Sequence, residues 1–337
     1  MYSFRDDYSE GAHSSILEAL IKSNMEQELG YGNDSHSINA KVLIKKHLKN
    51  GDCNIHLIAG GTQTNLIAIS SFLRPHQACI AVESGHIATH ETGAIEATGH
   101  KVITVPTSNG KITTSQIQGV VDDHTDEHMV KPKLVYISNP TEVGTTYSGE
   151  EMKEIYEFCQ KNNLLLYVDG ARLGSAIIGE NGNLSLEDFA KYTDSFFIGG
   201  TKNGALIGEA LVINKKSLNE DFRFYIKQKG ALTAKGRILG IQFEELFRDN
   251  LYYDLAKHGC DMAQKLQNAI IEKGYPLLAK SNTNQIFPIF SDEKIKELRQ
   301  NFDFHIWEKN DANNSVIRLV CSWATDEGQV DKFIDSI

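Results

Sequence analysis

The chain has 337 residues, 41% hydrophobic and 23% charged, enough apolar material for a large core, and this excludes a mini-protein, a disordered chain or a collagen-like repeat. Against 34 Lys and Arg stand 44 Asp and Glu, a net charge of −10, so no surface built to neutralise phosphates and no nucleic-acid partner are expected. No apolar run approaches the roughly 20 residues of a membrane span. The N-terminus, Met1-Tyr2-Ser3-Phe4-Arg5-Asp6-Asp7, is acidic where a secretion signal is basic and then apolar, so a cytoplasmic chain without membrane contact is expected.

From about residue 50 to 215, short apolar runs alternate with helical periodicity, the pattern of a parallel sheet covered by helices. The expected strands are Asn54–Ile58, Cys79–Val82, Val102–Val105, Leu134–Ser138, Leu164–Val168, Ser195–Ile198 and Ala210–Ile213. Gln63–Leu73, His86–Thr98 and Gly149–Lys161 read as crossover helices, each bounded by Gly, Pro, Asn or Ser. Long helical periodicity follows over Arg237–Asp249 and Tyr252–Lys273. Strands are then expected at Gln285–Ile289, Phe304–Glu308 and Val316–Val320, with one helix between the first two and another at the end. The expected architecture is α/β, with an N-terminal segment over 1–50, a large unit over 51–245 carrying a mostly parallel sheet, and a connector helix with a small α+β unit over 246–337.

Cys53, Cys79, Cys159, Cys260 and Cys321 are scattered singly, without the C-x-x-C pair of a redox or zinc site, and are expected as buried thiols. Asn183-Leu184-Ser185 has the form of a glycosylation sequon, which a chain without export would not use. The stretch from Asp122 to His128, rich in acids and His, reads as a solvated loop rather than a cation site.

Four segments carry candidate chemistry. Ala59-Gly60-Gly61-Thr62 follows a strand and opens a helix, where free N–H groups favour a phosphate, although a tight turn explains the glycines equally well. Asp169-Gly170-Ala171-Arg172 sets an acid at the end of a buried strand, where open α/β sheets place ligands, with an Asp169–Arg172 ion pair as the structural alternative. Phe196 to Gly204 runs from an apolar strand into a Gly-rich loop bearing Lys202, whose surroundings suit a nucleophilic amine. His86-Ile87-Ala88-Thr89-His90-Glu91 offers two histidines at i and i+4, a metal-ligand spacing, or else a platform for a flat cofactor.

In that order, phosphate turn, stacking His, strand-end Asp with Arg three residues on and Gly-flanked Lys resemble the aspartate-aminotransferase-like superfamily of pyridoxal-phosphate (PLP) enzymes. Within it, the chain resembles the threonine aldolase and β-eliminating lyase family. Further matching segments are Tyr8 to His13, Tyr31 to Asp34, Gly61 to Asn65, Glu91-Thr92-Gly93 and Arg318 to Trp323. The resemblance implies the PLP-dependent transferase fold, with a seven-stranded sheet and a small C-terminal α+β domain. It also implies a carbon–carbon lyase that splits L-threonine or L-allo-threonine into glycine and acetaldehyde. By resemblance, Lys202, His86 and Asp169 are catalytic: Lys202 holds PLP, Asp169 pairs with its ring nitrogen, and His86 stacks on it and is also a candidate base. Gly61, Thr62, Arg172 and Thr201 complete the cofactor site, and Asp6, Tyr31, Arg172 and Arg318 meet the substrate. A homodimer or homotetramer with shared active sites is implied, Tyr31 reaching a neighbour's site.

Three segments depart from the family pattern. Arg-Ser-Asp-Thr becomes Arg5-Asp6-Asp7-Tyr8, which puts an acid near the substrate carboxylate. Glu-Asn-Thr-His becomes Ser138-Asn139-Pro140-Thr141, so Thr141 stands in place of a histidine. Gly-Gly-Gly-Met-Arg-Gln becomes Gly230 to Ala234, leaving Lys227 or Lys235 to supply charge. The alternative reactions are β-elimination, releasing pyruvate and ammonia, and, from another class, metal-dependent hydrolysis on His86, His90 and Glu91.

Overall fold

In the computed structural model, which describes residues 1–179 and 184–337, the buried apolar runs form one seven-stranded sheet; Asn183 of the sequon lies outside the described residues. A two-residue strand β1 (Tyr2–Ser3) precedes it. The sheet consists of β2 (Asn54–Ile58), β3 (Gln77–Val82), β4 (Val102–Val105), β5 (Lys131–Ser138), β6 (Leu165–Asp169), β7 (Ser195–Gly199) and β8 (Glu209–Ile213). The order is β2-β8-β7-β6-β5-β3-β4. All strands run parallel except β8, which is antiparallel to both neighbours. The loop 200–208 joining β7 to β8 is too short for a crossover helix, so the chain must reverse.

Alternation along each strand feeds two cores. Val135, Ile137, Leu166 and Val168 point to one face, under the helices Ser35–Leu48, Gly149–Lys161 and Arg237–Arg248. Leu134, Tyr136, Leu165 and Tyr167 point to the other, under Gly61–Phe72 and Phe222–Gln228. Because both faces are covered, β6 and β7 are buried throughout, which is why they read as continuous apolar runs.

The expected helix over His86–Thr98 is broken. One turn forms at His86–Thr89 and closes at His90, a 3-10 turn forms at Glu96–Thr98, and between them Thr92 (φ 52°) and Gly93 (φ 69°) take left-handed conformations through which no right-handed helix continues. Helices at Ser14–Lys22, Ser35–Leu48 and Thr114–Asp123 add to those expected. The last is started by a capping box between Thr113 and Gln116 and ends in the first acids of the His-rich stretch. There the His124 ring bonds the Val120 carbonyl at 2.8 Å.

After the helices Arg237–Arg248 and Leu251–Glu272 comes a four-stranded sheet. The single strand expected over Gln285–Ile289 is divided into β9 (Gln285–Ile286) and β10 (Ile289–Ser291) around Pro288, which has no N–H to give a ladder. Both pair with the later strand Asn314–Val320. β11 (Phe302–Asp303) pairs with β1. The remaining strands are β12 (His305–Lys309) and β13 (Asn314–Val320), with Asp292–Leu298 and Glu327–Ser336 as the expected helices. Phe4, Leu266, Phe290, Phe304, Leu319 and Phe333 form a third core here, so the N-terminus is sewn onto the C-terminal layer. All five cysteines are buried and free. Among the described residues, no helix is long and apolar enough to cross a membrane.

Candidate active site

The carboxyl ends of β2, β5, β6 and β7 converge with the first residue of β8 on one edge of the sheet. Asp169 ends β6, and its cross-strand partner on β5 is Ser138. Lys202 stands three residues beyond the end of β7. Glycines bring these two exits together: a Cβ at Gly170 would run into the Phe197 carbonyl, and one at Gly199 into Ala171, while Gly199 N–H donates to the Gly170 carbonyl at 3.0 Å.

A cavity of about 300 Å³ opens at this edge, lined by Gly61, Thr62, His86, Asp169, Arg172, Thr201 and Lys202 among others. At its floor, Asp169 Oδ2 accepts from Tyr136 Oη–H at 2.7 Å and Asn65 Nδ2–H at 2.9 Å, and Oδ1 accepts from Ala171 N–H at 3.0 Å. A carboxylate has room for about four such bonds, so Oδ1 retains acceptor capacity toward a ligand N–H. The Asp169–Arg172 ion pair, the structural alternative for these two residues, does not form. Asn65 also donates to Glu91 Oε1 at 2.7 Å, and His86 Nδ1 bonds that same oxygen at 2.8 Å. Burial works against the imidazolium of His86, yet the Glu91 hydrogen bond and the charges of Asp169 and Glu91 outweigh it and raise its pKa.

No side chain or carbonyl among the described residues hydrogen-bonds Lys202 Nζ, and the Tyr8 ring lies 6.0 Å away. Burial and the nearby Arg172 charge lower its pKa, against Asp7, Asp169 and Glu209, which favours a neutral nucleophilic amine. Glu209 opens β8 and accepts from Thr201 Oγ1–H at 2.9 Å and Gly200 N–H at 3.2 Å, bracing the loop that carries Lys202. Opposite, the helix Gly61–Phe72 starts at extended Gly60 with no side-chain cap, so its first N–H groups and the Thr62 hydroxyl are free for an anion.

An outer cavity of about 480 Å³ adjoins the first and is lined by Tyr8, His86, His90, Glu142, Arg172, Lys202, His305, Trp307 and Arg318. Arg172 donates from Nε to Asp7 Oδ2 at 2.6 Å and from Nη2 to Asp7 Oδ1 at 3.0 Å, leaving Nη1 available. Arg318 lies 5.4 Å over the Trp307 ring, and its buried Nε has no partner.

Two of the residues expected to meet the substrate line neither cavity of their own chain. The Asp6 carboxylate turns back onto Tyr8 N–H at 3.2 Å and Ser9 Oγ–H at 2.8 Å, and Asp7 is the acid that reaches the site. Asp6 lines neither cavity. Tyr31 borders a separate small pocket with Lys41 and Arg223, and Lys227 Nζ sits 4.9 Å over its ring. Of the set named for the metal-hydrolase alternative, His90 drops out; His86, Glu91 and Asp169 have ligand atoms within 4.8 Å of one another. Those same atoms already serve the hydrogen-bond net centred on Asn65.

Reading the sequence missed Asp7, Glu142 and Glu209. Glu209 left a signal, a lone charge heading an otherwise apolar strand; Glu142 stands just past the carboxyl end of β5, where ligands gather; Asp7 differs from Asp6 only by which way a turn points it.

Residues 4–293 match the model of the β-eliminating lyase family. The chain is 31% identical over 329 residues to the low specificity L-threonine aldolase of Pseudomonas sp. strain NCIMB 10558, covering 96% of this chain and 93% of that protein. A solved structure of Leishmania major threonine aldolase superimposes with a TM-score of 0.98 at 47% identity, covering 99% of this chain and 98% of the other. A Thermus thermophilus aspartate aminotransferase variant superimposes with a TM-score of 0.74 at 13% identity over 100% and 90% of the two chains, so the fold is the one expected.

Proposed function

The chain belongs to the β-eliminating lyase family, and from that premise we propose that it is a PLP-dependent lyase splitting L-threonine or L-allo-threonine into glycine and acetaldehyde. The observation that carries the reading is the half-buried amine of Lys202, free of hydrogen bonds and open to one cavity with Asp169, His86 and the uncapped helix start. The similarity to threonine aldolases over nearly the whole chain points the same way.

The donor set fits PLP. Lys202 Nζ would hold it covalently, Asp169 Oδ1 its ring nitrogen, the His86 ring one face, and Gly61 with Thr62 its phosphate, with Thr201 beside Lys202. When bound, PLP supplies an electron sink for the pair left on the substrate's Cα. Arg172 through Nη1 and Arg318 through its orphaned Nε bind the substrate carboxylate, and their forks fix which Cα bond stands in line for cleavage.

Product analysis tests the reading. With PLP present, L-threonine or L-allo-threonine is expected to yield acetaldehyde and glycine in equal amounts. Pyruvate and ammonia from L-serine, without aldehyde from threonine, would move the assignment to the eliminating reaction.

The active enzyme is a homodimer or homotetramer with shared sites. Leu17, Ile21, Met25 and Leu29 are exposed along the N-terminal segment, and Tyr31 stands beyond them with Lys227 on its ring, both away from the chain's own cavity. Mixing inactive Tyr31→Ala and Lys202→Ala subunits is therefore expected to restore part of the activity; a mixture as dead as its parents would speak for self-contained sites.

A further inference from the structure

We propose that Glu142 is the acid–base group that handles the proton of the substrate's β-hydroxyl, an assignment that rests on the aldolase reading above. Glu142 is the one acid that lines both cavities; the other residues they share are Tyr8, His86, Arg172 and Lys202. Its Oε1 accepts from Ser138 Oγ–H at 2.6 Å and from His86 N–H at 3.0 Å, which fixes the carboxyl in place. Its Oε2 is buried and has no hydrogen-bond partner. Among the described residues no Lys, Arg or His side chain pairs with it. A buried carboxyl with one oxygen unmet is costly to keep, and nothing in the packing of the fold uses it.

The placement suits the reaction. A substrate with its amino group at Lys202 and its carboxylate between Arg172 and Arg318 leaves its third Cα substituent to the remaining shared wall, made by Tyr8, His86 and Glu142, of which Glu142 alone is a carboxyl. Thr141, where the sequence comparison set a histidine's counterpart, is committed: its Oγ1 bonds Thr145 Oγ1 at 2.7 Å. The His86 ring is directed by Glu91 and reserved for the cofactor's face. Burial also raises the Glu142 pKa, against the Ser138 hydrogen bond, which makes it a stronger base than an exposed carboxylate.

Atoms and electrons balance without a further reagent. The Glu142 carboxylate takes the hydroxyl proton, the O–H pair becomes the second C–O bond of acetaldehyde, and the Cα–Cβ bond breaks. Bound PLP would supply the sink for the pair from that bond; a proton taken up at Cα with that pair replaces the β-carbon, and glycine leaves.

Glu142→Gln keeps the shape of the side chain and an oxygen for Ser138 and the His86 amide, but cannot accept the proton. In the PLP-saturated enzyme it is expected to lower kcat for L-threonine cleavage by ~10²–10⁴-fold with KM little changed. Exchange of the glycine α-proton with solvent deuterium, which involves no hydroxyl, is expected to stay at the wild-type rate, as is glycine binding followed by the cofactor absorbance. Cleavage near the wild-type rate would overturn the assignment. So would equal loss of cleavage and exchange, since Glu142 would then only position His86. A wild-type enzyme that exchanges glycine but releases no aldehyde from any β-hydroxy amino acid would remove the aldolase reading and this assignment with it.

Discussion

Lys202→Ala is expected to eliminate turnover, by roughly 10⁴-fold or more as for loss of other covalent nucleophiles, and to release PLP on dialysis where the wild type retains it. Among the described residues, no other lysine lines the cavity to substitute. The same variant is expected to leave the cofactor-free protein at least as stable as the wild type, because it removes a half-buried amine that has no hydrogen-bond partner and whose charge is disfavoured by desolvation and by Arg172. Urea unfolding of both apo-proteins, beside a cofactor absorbance spectrum, checks the two halves together. A destabilised variant that still held PLP would mean that the lysine is structural.

The largest stability effect is expected at Asp7. Its carboxylate is fully buried and makes a two-point pair with Arg172, whose side chain is 17% exposed, and it also accepts from Asn284 Nδ2–H at 2.8 Å. It thus ties the N-terminal segment to the exit of β6 and to the layer built on β9. Asp7→Ala strands the guanidinium, which costs about 3–5 kcal/mol for a broken buried pair, against a total of ~5–15 kcal/mol for a typical protein. The variant is expected to unfold at lower urea, and its KM for amino acids to rise because Arg172 loses its anchor. Burial alone would raise the Asp7 pKa, but the charge of Arg172, then Lys202, and the hydrogen bonds pull it below the ordinary 3.8. With the folded pKa depressed, the pair's contribution is complete above that value and fades as the pH falls through the depressed pKa. The gap between wild type and Asp7→Ala in urea midpoint is expected to be full at neutral pH and to narrow at pH ~3 and below. A gap that stayed constant over that range would show that packing, rather than charge, is what Asp7 supplies.

Much of this was legible in the residues. Strands buried on both faces, β6 and β7 above all, declare themselves as apolar runs because no water-facing side is left to break the run. A lysine between glycines, an aspartate ending a buried strand and an uncapped Gly-Gly-Thr turn each carry a local physical reason for their place. Where expectation failed, the deciding forces were not local. The helix expected after His86 stops because Thr92 and Gly93 turn back so that Glu91 can reach His86 and Asn65. Pro288 divides one expected strand into two that share β13.

The sequence by itself determined the α/β layering, the order of the chemistry-bearing segments and the family resemblance, since period, burial and turn chemistry are properties of neighbours along the chain. Only the tertiary structure decided that Arg172 pairs with Asp7 instead of Asp169, that Asp6 turns away, and that Glu142 and Glu209 stand at the cavity. Pairings such as that of Arg172 with Asp7, 165 residues apart, depend on how the sheet edge, the N-terminal segment and the C-terminal layer are packed against one another. Which of two adjacent acids reaches a buried guanidinium is settled by that packing, because a charge can be buried only where its partner already stands.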